Sequence, residues 1–141
     1  MRILVIDGQG GGLGRTLIEQ ARQALPEAEI LAAGANALAT QAMLRAGADA
    51  GATGENAVVY NAARADVILG ALGIAFANAM HGEISPAMAR AVSESEALKI
   101  LIPVSRCNVL IAGVADQPMA QQVAVAIDML RNMAAGRPDG V

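Results

Sequence analysis

Cysteine, histidine, lysine and aromatic rings are almost missing from this 141-residue chain, and each shortage removes a class of chemistry. Cys107 and His81 each stand alone of their kind, so the chain closes no internal disulfide and holds neither a cysteine-based zinc site nor a CxxC redox pair. Lys99 is the single lysine. With a net charge of -3, no cluster of Lys and Arg, and only Tyr60 and Phe76 as aromatics, the chain lacks the charge footprint and the stacking surface of a nucleic-acid binder. Long apolar runs are missing as well. The uncharged stretches 30–44 and 67–80 carry Asn, Thr, Gln or Gly and fall short of the ~18 apolar residues that a membrane span needs. The apolar run at the N-terminus is too short for a secretory leader and is followed by no small-residue cleavage pattern. A cytoplasmic protein is expected, with neither nucleic acid nor membrane as a partner.

What the chain has in quantity is small and aliphatic: 55% of its residues are hydrophobic against 16% charged, so its core must be built from Ala, Val, Ile, Leu and Met. Its length suits one domain, expected over 1–135 with a frayed tail at 136–141. Arg2 to Ile6 reads as a buried strand, and Leu13, Leu17, Ile18, Ala21 and Leu25 then recur at helical spacing until Pro26. Glu29 to Ala33 reads as a second strand ending at Gly34, and Asn36 caps a helix that stops at Gly47. Residues 47–54 carry at most a minor strand. Thr53 is a cap for a helix from Glu55, a strand over 66–69 ends at Gly70 to Gly73, and Ser85 with Pro86 opens the next helix. Lys99 to Pro103 and Val109 to Ala112 read as two more strands, the latter ending at Gly113, and Asp116 with Pro118 opens the last helix. The alternation predicts an α/β, three-layer, Rossmann-like fold, with a mostly parallel sheet and helices on both faces.

Ligands of such sheets sit beyond the carboxyl ends of the strands, and there the glycines gather. Asp7, Gly8, Gln9, Gly10, Gly11, Gly12, Leu13 and Gly14 follow the first strand and lead into a helix, where free N–H groups and a partial positive charge favour a phosphate. Asn36, Gly70 and Gly73 stand at the neighbouring strand ends and complete the expected binding set. Gly8, Gly12 and Gly14 fit GxxxGxG, which resembles the dinucleotide loop of short-chain dehydrogenases, and residues 11–16 resemble the core of a deviant Walker A loop. Neither chemistry follows. Tyr60 is followed by Arg64 where a Tyr-x-x-x-Lys pair needs lysine; Arg15 and Gln9 replace the P-loop's lysine and first glycine, and Asp66 begins its strand instead of ending one. The acid that bonds the ribose of NAD is replaced by Ala32 to Asn36, which leaves room for the 2′-phosphate of NADP at Asn36 and Thr40, or for another nucleotide. A glycine turn with a purely structural purpose is the competing explanation.

Glu55, His81, Glu83 and Cys107 are the residues near strand ends that could act as acid, base or nucleophile. Each also has a plain structural explanation. Glu55 suits a positive helix end, an isolated histidine or carboxylate is commonly a surface residue, and a lone cysteine is commonly buried and inert, although Arg106 beside Cys107 would lower the thiol pKa.

Residues 6–12, 36–40, 51–57, 82–86 and 106–109 together resemble a family of small bacterial proteins catalogued as a domain of unknown function, along most of the chain to about Met133. The resemblance implies a Rossmann-like domain that occurs alone, with no activity and no catalytic residue to carry over. The expected function is a small nucleotide-binding module, possible as a regulatory unit, that holds a dinucleotide or other phosphate ligand on the glycine loop. Its small size favours this, since Rossmann enzymes generally add a second domain or long inserts for substrate. A small enzyme using the four residues above, and an interaction protein with no ligand, are the alternatives. A mean hydropathy of +0.44 further predicts a homodimer, with 67–80 as its contact through Ile74, Phe76 and Met80.

Overall fold

The computed structural model describes residues 1–104 and 108–136. Its central strand is β1, Arg2–Asp7, in which Ile3, Leu4, Val5 and Ile6 are all at most 1% exposed. A strand apolar on both faces must be covered on both faces. The flanking elements do this: α1 (Gly12–Ala24), β2 (Glu29–Gly34), α2 (Ala37–Arg45), β3 (Ala50–Thr53), α3 (Glu55–Ala62), β4 (Val67–Ala71), a 3-10 turn (Leu72–Ala75), α4 (Pro86–Glu94), β5 (Leu98–Ile102) and α5 (Met119–Ala134). The sheet is parallel throughout, in the order β3-β2-β1-β4-β5.

Alternation along each strand divides the core in two. Ile3 and Val5 join Ile30, Val67 and Leu69 beneath α1, α2 and α5, through Leu17, Ile18, Met43, Val123, Ile127 and Leu130. Leu4, Ile6 and Ile68 face the other way, beneath Val58 of α3 and Met88 and Val92 of α4. The three layers expected from the sequence are therefore present. The chain runs outward from β1 to β3 and then crosses back to β4, so the strand order reverses between β1 and β4, where the carboxyl ends part to leave a crevice.

Several local expectations are corrected. Val109 to Ala112 is not a strand: left-handed residues at Asn108 and Gly113 bracket it, and the N–H of Val114 donates to the carbonyl of Ile111 (3.4 Å), which bends the segment into a turn. Leu110 is left 93% exposed. Thr53 does not cap α3; it ends β3, and Gly54 at φ 101° takes the cap position without a side-chain bond. Ser85 caps α4 as expected, its Oγ accepting from the N–H of Met88 at 3.2 Å. Within the stretch 67–80, expected as the contact of a homodimer, Val67, Ile68, Leu69 and Ile74 are spent inside the chain's own core, while Phe76 and Met80 are half-buried against it. The large exposed apolar side chains instead include Leu110, Val114, Met119, Val125 and Met129, around β5 and α5. No helix among the described residues is long and apolar enough to cross a membrane. Cys107 and the tail beyond Gly136 lie outside the described residues.

Candidate functional site

The glycine loop lies at the crevice between β1 and β4, and its five glycines divide by what surrounds them. A Cβ on Gly14 would stand 2.6 Å from Sδ of Met43 and 2.9 Å from Cβ of Asp7; one on Gly11, which is left-handed at φ 76°, would stand 2.8 Å from Cα of Ala39. Gly8 is pressed by Sδ of Met80 at 3.0 Å. Gly11 and Gly14 are required by packing, whereas Gly8 is crowded only by the ends of the flexible side chains of Met80 and Glu83 and by the Cβ of Ala35 at ordinary contact distance. Gly10 and Gly12 are not so required: their φ angles are ordinary, a Cβ on either would meet nothing within 4 Å, and both are exposed.

The loop's N–H groups divide in the same way. Asp7 ends β1 and is 7% exposed, and its carboxylate accepts from the N–H of Gly8 (2.8 Å) and of Gly14 (2.7 Å), the third residue of α1. It thus takes the place of an anion at the positive end of the helix. Burial pushes the Asp7 carboxyl above its ordinary value, against the lowering by the N–H groups of Gly14 and Gly8, and the negative charge of Glu83 pushes the same way as burial. The N–H of Gly11 donates to the carbonyl of Gly8 (3.1 Å), and that of Gln9 to Oε2 of Glu83 (2.9 Å). Among the described residues, the N–H groups of Gly10, Gly12 and Leu13 are left without an acceptor.

Glu83 reaches the loop from the connection between β4 and α4. Asn78, Met80 and His81 are all left-handed there, at φ 65°, 58° and 57°, and such backbone is costly for residues with side chains. The turn is held by its own bonds, from the N–H of Gly82 to the carbonyl of Asn78 (3.1 Å) and from that of Glu83 to the carbonyl of Met80 (3.1 Å). Oε1 of Glu83 accepts from Nδ2 of Asn36, which also donates to the carbonyl of Gln9 at 2.9 Å. Oδ1 of Asn36 accepts from the N–H of Ala39 at 2.9 Å and caps α2. One carboxylate therefore ties the ends of β1, β2 and β4 together.

A cavity of about 200 Å³ opens beside the loop, lined by Asp7, Gly8, Gln9, Gly10, Gly11, Gly12 and Leu13 together with Ala71, Met80, Val104 and Met119. Of the expected binding set, Gly14, Asn36, Gly70 and Gly73 stand outside this lining. Gly70 is required where its Cβ would meet the carbonyl of Ile6 at 2.8 Å, and Gly73 is buried in the 3-10 turn. Gly34 is required against the backbone N of Thr40 at 2.6 Å. The polar atoms expected to receive a 2′-phosphate are committed internally, since Oγ1 of Thr40 bonds to the hydroxyl of Thr53 (2.7 Å) and both ends of the Asn36 amide are used. The cavity opens toward β4 and β5 instead. Met80, Val104 and Met119 were not legible as lining residues, because nothing in their spacing ties them to the loop.

A larger cavity of about 550 Å³ lies between β5 and α5, but its walls are mostly apolar and its one lysine, Lys99, donates to the carbonyl of Ser95 at 2.5 Å. The convergence of free N–H groups, carboxylates and left-handed backbone marks the smaller cavity as the candidate site. The other reactive residues do not gather there. Glu55 accepts from Oγ of Ser85 at 2.6 Å and joins the starts of α3 and α4; His81 is exposed. Among the described residues no group of three or more His, Cys, Asp or Glu is placed to hold a metal ion.

A crystal structure of a dodecameric FMN-dependent UbiX-like decarboxylase from Escherichia coli O157:H7 is similar to this chain with a TM-score of 0.45 and 12% identity, over 99% of this chain and 96% of that one. No curated protein matches it. The model of a family described as a domain of unknown function, DUF3842, matches residues 2–135, and the chain belongs to that family.

Proposed function

We propose that the chain binds a nucleotide or a related phosphate ligand, with a phosphate on the N–H groups of Gly10, Gly12 and Leu13 and the rest of the molecule running over Ala71 toward Val104 and Met119. The observation that carries this reading is the pair of glycines that packing does not require. Gly10 and Gly12 have open space where a side chain would sit and ordinary φ angles, yet they flank the free N–H groups. A ligand that approaches the backbone accounts for both. The cavity of about 200 Å³ suits a phosphate and its ribose, with the base lying beyond on the surface. Binding is preferred to catalysis because Glu55 and Glu83 are each engaged in separate structural bonds and His81 stands exposed. The proposal includes a cytoplasmic setting and self-association as a homodimer, now through the apolar edge formed by β5 and α5.

The test is a thermal-shift panel of NAD, NADP, FAD, ATP, coenzyme A and S-adenosylmethionine, read on the wild type and on Gly12→Val. A ligand at 100 times its Kd adds about 2.7 kcal/mol to the folded state. The expected result is a shift with at least one compound that is lost in Gly12→Val. No shift with any of them, or a shift that survives the substitution, overturns the reading.

A further inference from the structure

Resting on the reading of the β5 and α5 edge as the dimer contact, we propose that β5 of one copy pairs antiparallel with β5 of a second, with Ile100 on the two-fold axis, so that two five-stranded sheets become one. The backbone of β5 carries this. β5 ends the sheet and pairs only with β4. The N–H of Leu98 donates to the carbonyl of Asp66, just ahead of β4, so alternation along the strand turns the N–H and the carbonyl of Lys99 and of Leu101 outward. Those four groups have no partner among the described residues. They open into the cavity of about 550 Å³, which is lined by all of Leu98 to Pro103 and walled by α5 and by residues of the segment 111–117. Main-chain groups left unpaired beside apolar walls are costly, and such an edge is a template for another strand. A charged guard is lacking as well: Lys99, the one charged side chain of β5, is turned back onto the carbonyl of Ser95 in its own chain.

A second copy is the occupant that these groups fit. When Lys99 faces the partner's Leu101 and Leu101 faces the partner's Lys99, all four groups are used at once, in two hydrogen-bonded pairs placed symmetrically about Ile100. The side chains agree with this register. Ile100 points into the layer beneath α5, and Leu101 into the opposite layer, where the stem of a lysine can lie against it. On the α5 face the cavity leaves room for the partner's helix, and Val125 and Met129 stand exposed on the stripe of α5 that lines it. With Val114 and Leu110 they expose on the order of 400 Å² of apolar surface before β5 is counted, about half of the roughly 800 Å² that each partner gives to a standard interface.

The experiment reads the register as well as the association. Lys99→Cys and Leu101→Cys are made in separate chains, each with Cys107→Ser, then co-expressed and oxidised. Residues opposed in a hydrogen-bonded pair have Cα atoms about 5.5 Å apart, within reach of a disulfide, whereas residues on the diagonal lie about 7–8 Å apart. A covalent dimer is expected from the mixture and from neither variant alone. Leu101→Pro removes an outward N–H that β4 does not use, a change that an edge strand tolerates. In sedimentation velocity its dissociation constant is expected to rise about a hundredfold, tenfold for each of the two carbonyls left without a donor. A wild-type dimer that cross-links in another pattern, or that persists undiminished in Leu101→Pro, overturns the strand pairing and leaves the dimer contact standing. A wild type that is monomeric at micromolar concentration overturns both and leaves the cavity to an apolar small molecule or a different chain. Should Leu101→Pro not fold, the cross-linking pattern decides alone.

Discussion

Replacing Gly11 and Gly12 separately by alanine should have opposite effects, although the two residues are adjacent. At Gly11 a side chain meets two penalties. Left-handed backbone costs an L-residue roughly 1–2 kcal/mol, and its Cβ would press on Cα and the carbonyl oxygen of Ala39 at 2.8 and 2.9 Å. Those atoms are backbone of α2 and cannot rotate away, so relief requires a helix shift of the kind that costs about 1–3 kcal/mol. Gly11→Ala should therefore lose about 2–5 kcal/mol out of a typical 5–15. At roughly 4 °C per kcal/mol for a chain of this size, Tm falls by about 8–20 °C. Gly12 is the first residue of α1 with nothing within 4 Å, so alanine there should gain up to about 1 kcal/mol from helix propensity. Urea denaturation at constant m-value measures both changes. A Gly12→Ala variant destabilised as much as Gly11→Ala would falsify the division into packed and open glycines, and the ligand assignment would lose its main support.

Four other outcomes follow from the same structure. Ser85→Ala should cost about 1 kcal/mol, because it removes the cap on Met88 and the hydroxyl that Glu55 accepts, and Glu55→Gln should cost less; a Ser85→Ala variant with unchanged Cm contradicts the cap. Asp7 has a native pKa above its ordinary 3.8, so the folded state binds the extra proton first and Asp7's contribution makes the chain more stable as pH falls from neutral toward that value. Measured against Asp7→Asn between pH 4 and 8, the wild type should gain relative stability on acidification, and the opposite slope rejects the assignment. Asp49 carries the reverse sign: the N–H of Ile30, and then Arg22, hold it below its ordinary value, so its contribution is present above about 3.8 and disappears as pH falls through the native pKa. Self-association should weaken in Leu110→Asp with folding unchanged, read by sedimentation velocity; a wild type that stays monomeric at micromolar concentration removes the dimer.

The first half of the fold was legible because each signal there is local. Ile3 to Ile6 are apolar without a break, the stripe from Leu13 to Leu25 has helical period, and Asn36 stands before a helix with its side chain free to cap it. Local signals failed where the outcome depends on a distant partner. Val109 to Ala112 has the composition of a strand, but β-propensity expresses fit to a neighbouring strand, and turns at Asn108 and Gly113 keep this segment from pairing with β5. Thr53 has a cap's chemistry, yet its hydroxyl meets Thr40, and that contact exists only once β3 lies beside α2. The apolar stretch 67–80 looked excessive for a small core because the sequence does not say that β4 is an interior strand buried on both faces.

The glycine loop shows the same boundary within a few residues. A motif counts glycines as equals, whereas here Gly8, Gly11 and Gly14 make room for Met80, α2 and Met43, and only Gly10 and Gly12 face open space. It also counts every N–H at the helix start as an offer to a ligand. Asp7 is read from sequence as part of the binding set, but its carboxylate takes the N–H of Gly14 and so spends one of the donors that make a helix start attractive to phosphate. Glu83 takes the N–H of Gln9, which lies in the loop ahead of the helix, from 74 residues away, a separation at which no spacing rule operates. Among the described residues, the N–H groups of Gly10, Gly12 and Leu13 are the ones left over, a division that no count of glycines along the sequence reveals.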